Sequence, residues 1–533
     1  MPTRSFCFSH HLTYCLVFHS GLPVRVDFDI ITIMNISRRF FIAGAASFGA
    51  FGGNRFLNAA SFMPTGAPRL RFGVVSDTHV DYDDSDPSAK KRWGSNTIFR
   101  KTMQYFRSQN VDAVVIAGDF TNRGGVAELQ AVAKAWYEVF PGDRYPDGRP
   151  IEKVFVTGNH DSYMTEGVDP AGQMRPDMAW HWREIFHEDY SRCFCKVVKG
   201  FPFFGAHWDN GKLAQMKQVW SPSSFTGDLK PLIEANRSKI DPKLPFFYVQ
   251  HPHPKDTCYG PWAWGHDRGD VTRTLSDFPN AISFSGHSHY SLTDERTLWQ
   301  GAFTSCGTSS LRYTGQPYNE LLPSGYENTE TEGKDALKYN AVKLMKGYPT
   351  GNCSQGMIWS VYDDCIVVNR REFVYDLELG PDWVLPLPAA EAKPFAFAER
   401  AKKVAAPEFP VGAALTVARV KAKTRGGKSR DGKVTIASEE KDAVKLTIPA
   451  VEAKDLARGY RFRVEATLGT EVKTKFVLAE GFNHGIAHKR ATNPSECVFA
   501  LDELPKGEVV FKVTPENCFY RPGKPLTAKF AIG

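Results

Sequence analysis

Past residue 60 the chain has no stretch long and apolar enough for an ordinary membrane span, so no transmembrane anchor is expected in the mature part. It also lacks the cysteine spacing of a zinc finger. The ten cysteines, at 7, 15, 193, 195, 258, 306, 353, 365, 497 and 518, fit no such pattern. Cys193 and Cys195 form C-x-C, too tight for the usual structural zinc pair. Disulfides are admissible if the protein is exported, with Cys497 and Cys518 one candidate pair. Strong charge is missing too: a net +7 is small for 533 residues. The basic run KAKTRGGKSRDGK reads as a solvated face, so no nucleic-acid partner is expected beyond a nucleotide as substrate. What remains, 42% hydrophobic and 23% charged residues, is ordinary for a soluble globular protein. The length exceeds what one hydrophobic core organises and implies two or three domains.

Residues 34–60 read MNISRRFFIAGAASFGAFGGNRFLNAA. Arg38 and Arg39 precede Phe40, Phe41 and Ile42, then a weakly hydrophobic Ala/Gly run ending in small residues. This resembles a twin-arginine signal peptide, an address read by the twin-arginine export machinery. The expected start is Met34, the expected cleavage lies near Ala59 and Ala60, and the expected location is periplasmic or at the cell surface.

The stretch RFGVVSDTHVDY (71–82) reads as a buried strand that ends by presenting Asp77 and His79. Four later segments end in the same way. VDAVVIAGD delivers Asp119 after Gly118, and IEKVFVTGNHD delivers Asn159, His160 and Asp161. LPFFYVQHPHP offers His251 and His253, and AISFSGHSHY offers His287 and His289. Helix-like stretches separate the first three strands, the grammar of an α/β core whose sites form at the carboxyl ends of its strands. Asp77, His79, Asp119, Asn159, His251, His287 and His289 supply seven oxygen and nitrogen donors. They divide over two metals with one carboxylate shared. Oxygen plus imidazole without thiolate favours Mn, Fe or Zn. Two metals about 3.5–4 Å apart can hold a hydroxide and clamp a phosphate for in-line attack.

D-x-H, G-D, G-N-H-D, a His after a strand and G-H-x-H together resemble the calcineurin-like metallophosphoesterase family, over roughly residues 70–375. The resemblance implies a four-layer αββα fold, with two sheets face to face and helices outside. It implies that Asp77, His79 and His289 bind one metal, that Asn159, His251 and His287 bind the other, and that Asp119 bridges, with His253 the runner-up for His251. It implies a bridging hydroxide as nucleophile and His160 as general acid to the leaving oxygen. Arg123, in GDFTNRG, would hold a phosphate oxygen beside Asn159. That block carries Asn122 where the protein-phosphatase branch has an Asp supporting the catalytic His, which weakens assignment to that branch.

Substrate choice is expected in the insertions. CYGPWAWGHDRGD (258–270) is one candidate wall, with Trp262 and Trp264. Residues 313–340 read as a polar excursion. FTSCGTSS reads as a strand beside AISFS, and GMIWSVYDDCIVVNRREFVYD as a hairpin completing the second sheet. A Pro- and Ala-rich linker follows, then about seven short alternating strands, ALTVARVKAK, KVTIAS, AVKLTIPA, RGYRFRVEAT, KTKFVLAE, CVFALDEL and GEVVFKVTPEN, that resemble an immunoglobulin- or fibronectin-III-like sandwich. The expected organisation is 1–60 extension and signal, 68–385 metallophosphoesterase, 386–410 linker and 411–533 β-sandwich. The expected activity is hydrolysis of a small phosphate ester, nucleotide or phospholipid headgroup, with mono- and diester both open. The alternative is a non-catalytic surface module whose sandwich binds a glycan or protein.

Overall fold

The computed structural model describes residues 64, 66–86, 94–162, 178–208, 226–259, 265–314, 353–430, 433–451 and 458–533. The signal-like segment, Trp262, Trp264 and most of the polar excursion lie outside them.

Strand β1 (Leu70–Val75) shows how the layers form. Leu70, Phe72 and Val74 point into one core, and Val75 points into another. A strand buried on both faces must lie inside a sheet. β1 pairs in parallel with β2 (Ala113–Ala117), and β2 in parallel with β3 (Glu152–Val156). Between them run helices α1 (Thr97–Ser108) and α2 (Val126–Val139). Helix α1 buries Phe99, Thr102, Met103 and Phe106, the 3.6-residue stripe of a helix on a sheet. After helix α3 (Met178–Phe186) come β4 (Cys193–Val198), β5 (Phe201–Ala206), helix α4 (Thr226–Ala235), β6 (Phe246–Val249), helix α5 (Asp270–Leu275), β7 (Ala281–Ser285), β8 (Leu298–Gln300) and β9 (Thr304–Gly307). These strands make the second sheet, in the order β4-β5-β6-β7-β9-β8.

The hairpin β10 (Gln355–Val361) and β11 (Cys365–Glu372) does not complete that second sheet. It joins the first, where β10 pairs antiparallel with β1, Gly73 opposite Ile358. The place beside β9 is filled by the short edge strand β8. β10 buries Met357, Trp359 and Val361 on one face and Ile358 on the other, as an interior strand must. β12 (Leu377–Glu378) and β13 (Trp383–Pro386) both pair with β11. FTSCGTSS does form β9, parallel to β7.

One core lies between the sheets and holds alternate residues of both, Phe72, Val115 and Val154 meeting Phe203, Phe247 and Phe284. A second core joins the first sheet to α1, α2 and α3, and a third joins the second sheet to α4 and α5. The order is helix, sheet, sheet, helix, as expected.

Beyond helix α6 (Phe397–Lys403) the chain is almost all strand: β14 (Thr416–Arg430), β15 (Lys433–Ile448), β16 (Arg461–Leu468), β17 (Glu471–Leu478), β18 (Ser495–Ala500), β19 (Gly507–Glu516) and β20 (Leu526–Ile532). They form sheets of three, β14-β15-β18, and four, β17-β16-β19-β20, around one apolar core. KVTIAS and AVKLTIPA, expected as separate strands, belong to the single strand β15, and β20 was not expected at all. Cys497 and Cys518 are both buried free thiols and form no disulfide. The β-region packs on the layers before it. Arg400 of α6 pairs with buried Glu295, and Arg296 donates to Tyr520 Oη at 2.8 Å. Gln355 Nε2 donates to Asn483 O at 2.8 Å.

Two outcomes follow from this packing. Phe72 meets Phe203, Phe247 and Phe284 at ring separations of 5.2, 4.8 and 5.8 Å, so its ring joins the two sheets. Phe72→Ala is expected to cost about 3–5 kcal/mol in urea unfolding. A loss below about 1 kcal/mol would mean that the sheets do not share this core.

Burial holds His207 neutral, down from 6.5 to about 3, and the Thr157 N–H donates to its Nδ1 at 3.1 Å. The unfolded chain therefore takes up this proton first on acidification. His207 adds nothing to pH sensitivity above about 6.5, and stability is lost as pH falls from there towards about 3. Thermal unfolding across that range should fall less steeply in His207→Gln than in the unaltered chain. Equal slopes would contradict the assignment.

Candidate metal centre and active site

Strands β1, β2 and β3 run parallel, as do β6 and β7, so their carboxyl ends share one edge of the paired sheets. Asp77 and His79 follow β1, Asp119 follows β2, and Asn159 and His160 follow β3. His251 follows β6, and His287 and His289 follow β7. Backbone bonds stitch these tips together. Asp77 N donates to Gly118 O at 2.9 Å, His79 N to Asp119 O at 3.0 Å, and Gly286 N to His251 O at 2.8 Å.

Each strand must turn sharply to aim its side chain. Asp77, His79, Asp119, His287 and His289 all have positive φ, from 43 to 71°. Left-handed backbone costs a non-glycine residue about 1–2 kcal/mol, and such strain collects at functional sites. The motif glycines make room. A Cβ on Gly118 (φ 89°) would strike the His251 ring, and one on Gly158 the Asp119 carboxylate. One on Gly286 would strike Asp77 and lie 2.6 Å from Ser76 Oγ.

The side chains meet in two adjoining groups, Asp77 with His79 and His289, and Asp119 with His251 and His287. His289 Nε2 lies 2.9 Å from Asp77 Oδ1 and 3.1 Å from His79 Nε2. His251 Nε2 lies 3.1 Å from Asp119 Oδ2 and 3.1 Å from His287 Nδ1. His79 Nε2 is 3.9 Å from Asp119 Oδ2, which joins the groups. Asp77, His79, Asp119 and His251 are 4% exposed or less.

The opposite ring nitrogens fix the tautomers. His251 Nδ1–H donates to Ala117 O at 2.8 Å and His289 Nδ1–H to Tyr313 O at 3.1 Å. Their Nε2 atoms therefore face inward, the position a ligand needs, and on His251 a metal ion would take the place of the proton that Asp119 favours there. Burial opposes charge on Asp77 and Asp119, but the adjacent histidines outweigh it and hold both carboxyls below their ordinary range. Burial lowers His79 to about 3, and burial with His251 nearby lowers His287 to about 3, so both stay neutral. Burial also opposes charge on His251, yet Asp119 raises it to about 9. Two ionised carboxylates facing inward-turned imidazole nitrogens are a donor set that fits two metal ions.

Asn159 is buried in the loop that carries these contacts, where the His160 N–H donates to Asp119 Oδ1 at 2.8 Å. The half-buried His160 ring lies 4.6 Å from that of His79 and forms a third group with His79 and Asp119. His160 Nδ1–H donates to the backbone carbonyl of Asn122 at 2.7 Å, so Nε2 is the nitrogen open to the site. The Asn122 side chain instead donates to Asp81 Oδ1 at 2.8 Å. The missing Asp is thus replaced by a carbonyl. Arg123 is held through its backbone N–H, which donates to Glu128 Oε2 at 2.8 Å, and its side chain is exposed.

Of the two histidines of QHPHP, His251 stands among the grouped donors, and His253 is in none of the groups found among the described residues. Two rings missed in the sequence flank the histidines. Trp208 lies 6.0 Å from His251 and 5.9 Å from His287, and Tyr313 lies 4.3 Å from His289. Trp208 follows β5, whose parallel run beside β6 was the available signal. Tyr313 carried none.

Residues 70–291 match the calcineurin-like phosphoesterase family. This part of the chain is a metallophosphoesterase domain, of an enzyme class that hydrolyses phosphoric esters with two metal ions. No curated protein matches the chain. Among solved structures, purple acid phosphatase PPD1 from yellow lupin is 11% identical over 59% of this chain and 53% of that one, with a TM-score of 0.34. GAP50, the anchor in the inner membrane complex of Plasmodium, is 12% identical over 60% and 88%, with a TM-score of 0.33. Zinc-complexed Vps29 from Entamoeba histolytica is 10% identical over 60% and 99%, with a TM-score of 0.26. None of these likenesses bears on what this chain acts upon.

Gly286→Ala is expected to abolish high-affinity metal binding, because the new methyl group displaces Asp77. Equilibrium dialysis with Mn would show it. Unchanged stoichiometry would mean that the G-H-x-H glycine is not needed for ligand placement.

Proposed function

We propose that the mature protein is an exported, dinuclear metal-dependent hydrolase of a small phosphate ester. The observation that carries this reading is the meeting of both carboxylates with inward-turned imidazole nitrogens beside His160. Asp77, His79 and His289 would hold one ion and Asn159, His251 and His287 the other, with Asp119 lying between the two groups. A pair of Mn, Fe or Zn ions would supply a hydroxide nucleophile and offset the charge of the phosphate. His160, oriented by the Asn122 carbonyl, donates its Nε2 proton to the leaving oxygen as the P–O bond breaks, and returns to neutral imidazole. Arg123, whose side chain is exposed, would hold a phosphate oxygen. The substrate is a nucleotide or phospholipid headgroup, as mono- or diester.

The twin-arginine-like segment supports export to the periplasm or cell surface, and no helix among the described residues is long and apolar enough to cross a membrane. Residues 68–385 form the catalytic domain, 386–410 the connection and 411–533 an immunoglobulin- or fibronectin-III-like sandwich. The two facing sheets around one core support the last assignment.

The test uses chain from about residue 60, with p-nitrophenyl phosphate and bis(p-nitrophenyl) phosphate under Mn, Zn, Fe or no added metal. Turnover is expected only with metal and is expected to vanish in Asp119→Ala. In His160→Ala, metals should be retained, while esters with poor leaving groups lose about 100-fold or more in kcat. Metal-independent turnover, or full activity in Asp119→Ala, would overturn the reading.

A further inference from the structure

His253, the second histidine of QHPHP, is 1% exposed and lies outside the donor cluster, yet both its ring nitrogens are engaged. Nδ1 is 2.7 Å from Ser285 Oγ, and Nε2 is 2.7 Å from Ser288 Oγ. Ser285 is the last residue of β7. Ser288 stands between His287 and His289, on the loop that serves both metal groups.

The backbone of His253 faces the other way. Its N–H donates to Gly265 O at 2.8 Å, and its carbonyl accepts the Asp267 N–H at 2.8 Å. Asp267 closes the same segment, accepting from Lys255 N at 3.0 Å, Gly269 N at 2.7 Å and Gln250 Nε2 at 3.1 Å. Gly265 presses against the ligand loop, since a Cβ there would lie 3.2 Å from the His287 ring. Each ring nitrogen of His253 faces a hydroxyl, one as donor and one as acceptor for a neutral ring. Two hydroxyls, each able to play either role, suit it in either tautomer.

We propose that His253 is a positioning residue that ties the segments 253–259 and 265–269 to the loop bearing His287. Filling the Asp119–His251–His287 group then orders these segments, and freeing His253 weakens that group. The proposal rests on the metallophosphoesterase reading. Its physical basis is that a ligand held by partners beyond the metal loses affinity when those partners go, by about 10–100-fold.

The experiment is a Mn titration of the mature chain, read as bound metal, for the unaltered protein, His253→Ala, His253→Gln and Ser288→Ala. The unaltered protein should take up two ions. His253→Ala and Ser288→Ala should bind the first ion normally and the second about 10–100-fold more weakly. His253→Gln, which keeps a donor and an acceptor, should recover part of the loss. Amide exchange supplies the readout that a merely structural role would not move. Mn should slow exchange in 253–259 and 265–269 of the unaltered chain and leave it unchanged in His253→Ala. If His253→Ala does not fold, Ser288→Ala decides, since it removes one oxygen. Second-ion affinity equal to that of the unaltered protein in Ser288→Ala, or exchange indifferent to Mn in the unaltered chain, would overturn the proposal. Failure of the unaltered chain to bind a second ion would overturn the metallophosphoesterase reading itself, and that protein alone distinguishes the two cases.

Discussion

Asp119 is the point on which the site depends. Its Oδ1 accepts the His160 N–H, and its Oδ2 lies 3.1 Å from His251 Nε2 and 3.9 Å from His79 Nε2. One carboxylate at the tip of β2 therefore meets a loop after β3, a loop after β1 and a histidine from the second sheet. A buried charge is tolerated only where partners surround it, and the histidines supply them here. Its positive φ and the Cβ-free Gly158 beneath it are the local conditions of that placement.

The two sheets must hold their edges in register for those contacts to exist. The aromatic core around Phe72 does this at some distance from the chemistry. Its rings come from β1, β5, β6 and β7, the last two of which end at His251 and His287. The C-terminal strands add a further layer of support. Gln355, at the start of β10, accepts at Oε1 from Leu292 N at 2.7 Å and donates to Asn483 O. The stretch just after the G-H-x-H ligands is thereby bonded to a residue that bonds the β-region.

Much of the site was legible because its ligands are local features. Each lies at the end of an apolar run beside a glycine or another donor, and a strand end next to a glycine is the place where a side chain can be aimed outward. Pairing choices were not local. The hairpin β10–β11 has the same sequence whichever sheet it joins, and only the apolar faces on both sides of β10, set against the occupied edge of β9, decide for β1. KVTIAS and AVKLTIPA read as two strands because the intervening SEEKD is polar. Continuous pairing with β14 on one side carries the chain through it as one strand.

The sequence by itself determined the donor types, their order along the chain and the α/β grammar that gathers strand ends on one edge, because periodicity and glycine placement encode these locally, while the four-layer αββα arrangement was implied by the family resemblance. Only the tertiary structure decided between His251 and His253. Both stand in one short apolar-to-polar transition, and the difference is that Ala117 O, on β2 of the other sheet, waits for the ring of His251, while Ser285 and Ser288 wait for that of His253. Likewise, only the folded chain could replace the expected Asp by the Asn122 carbonyl, since a backbone atom carries no residue identity.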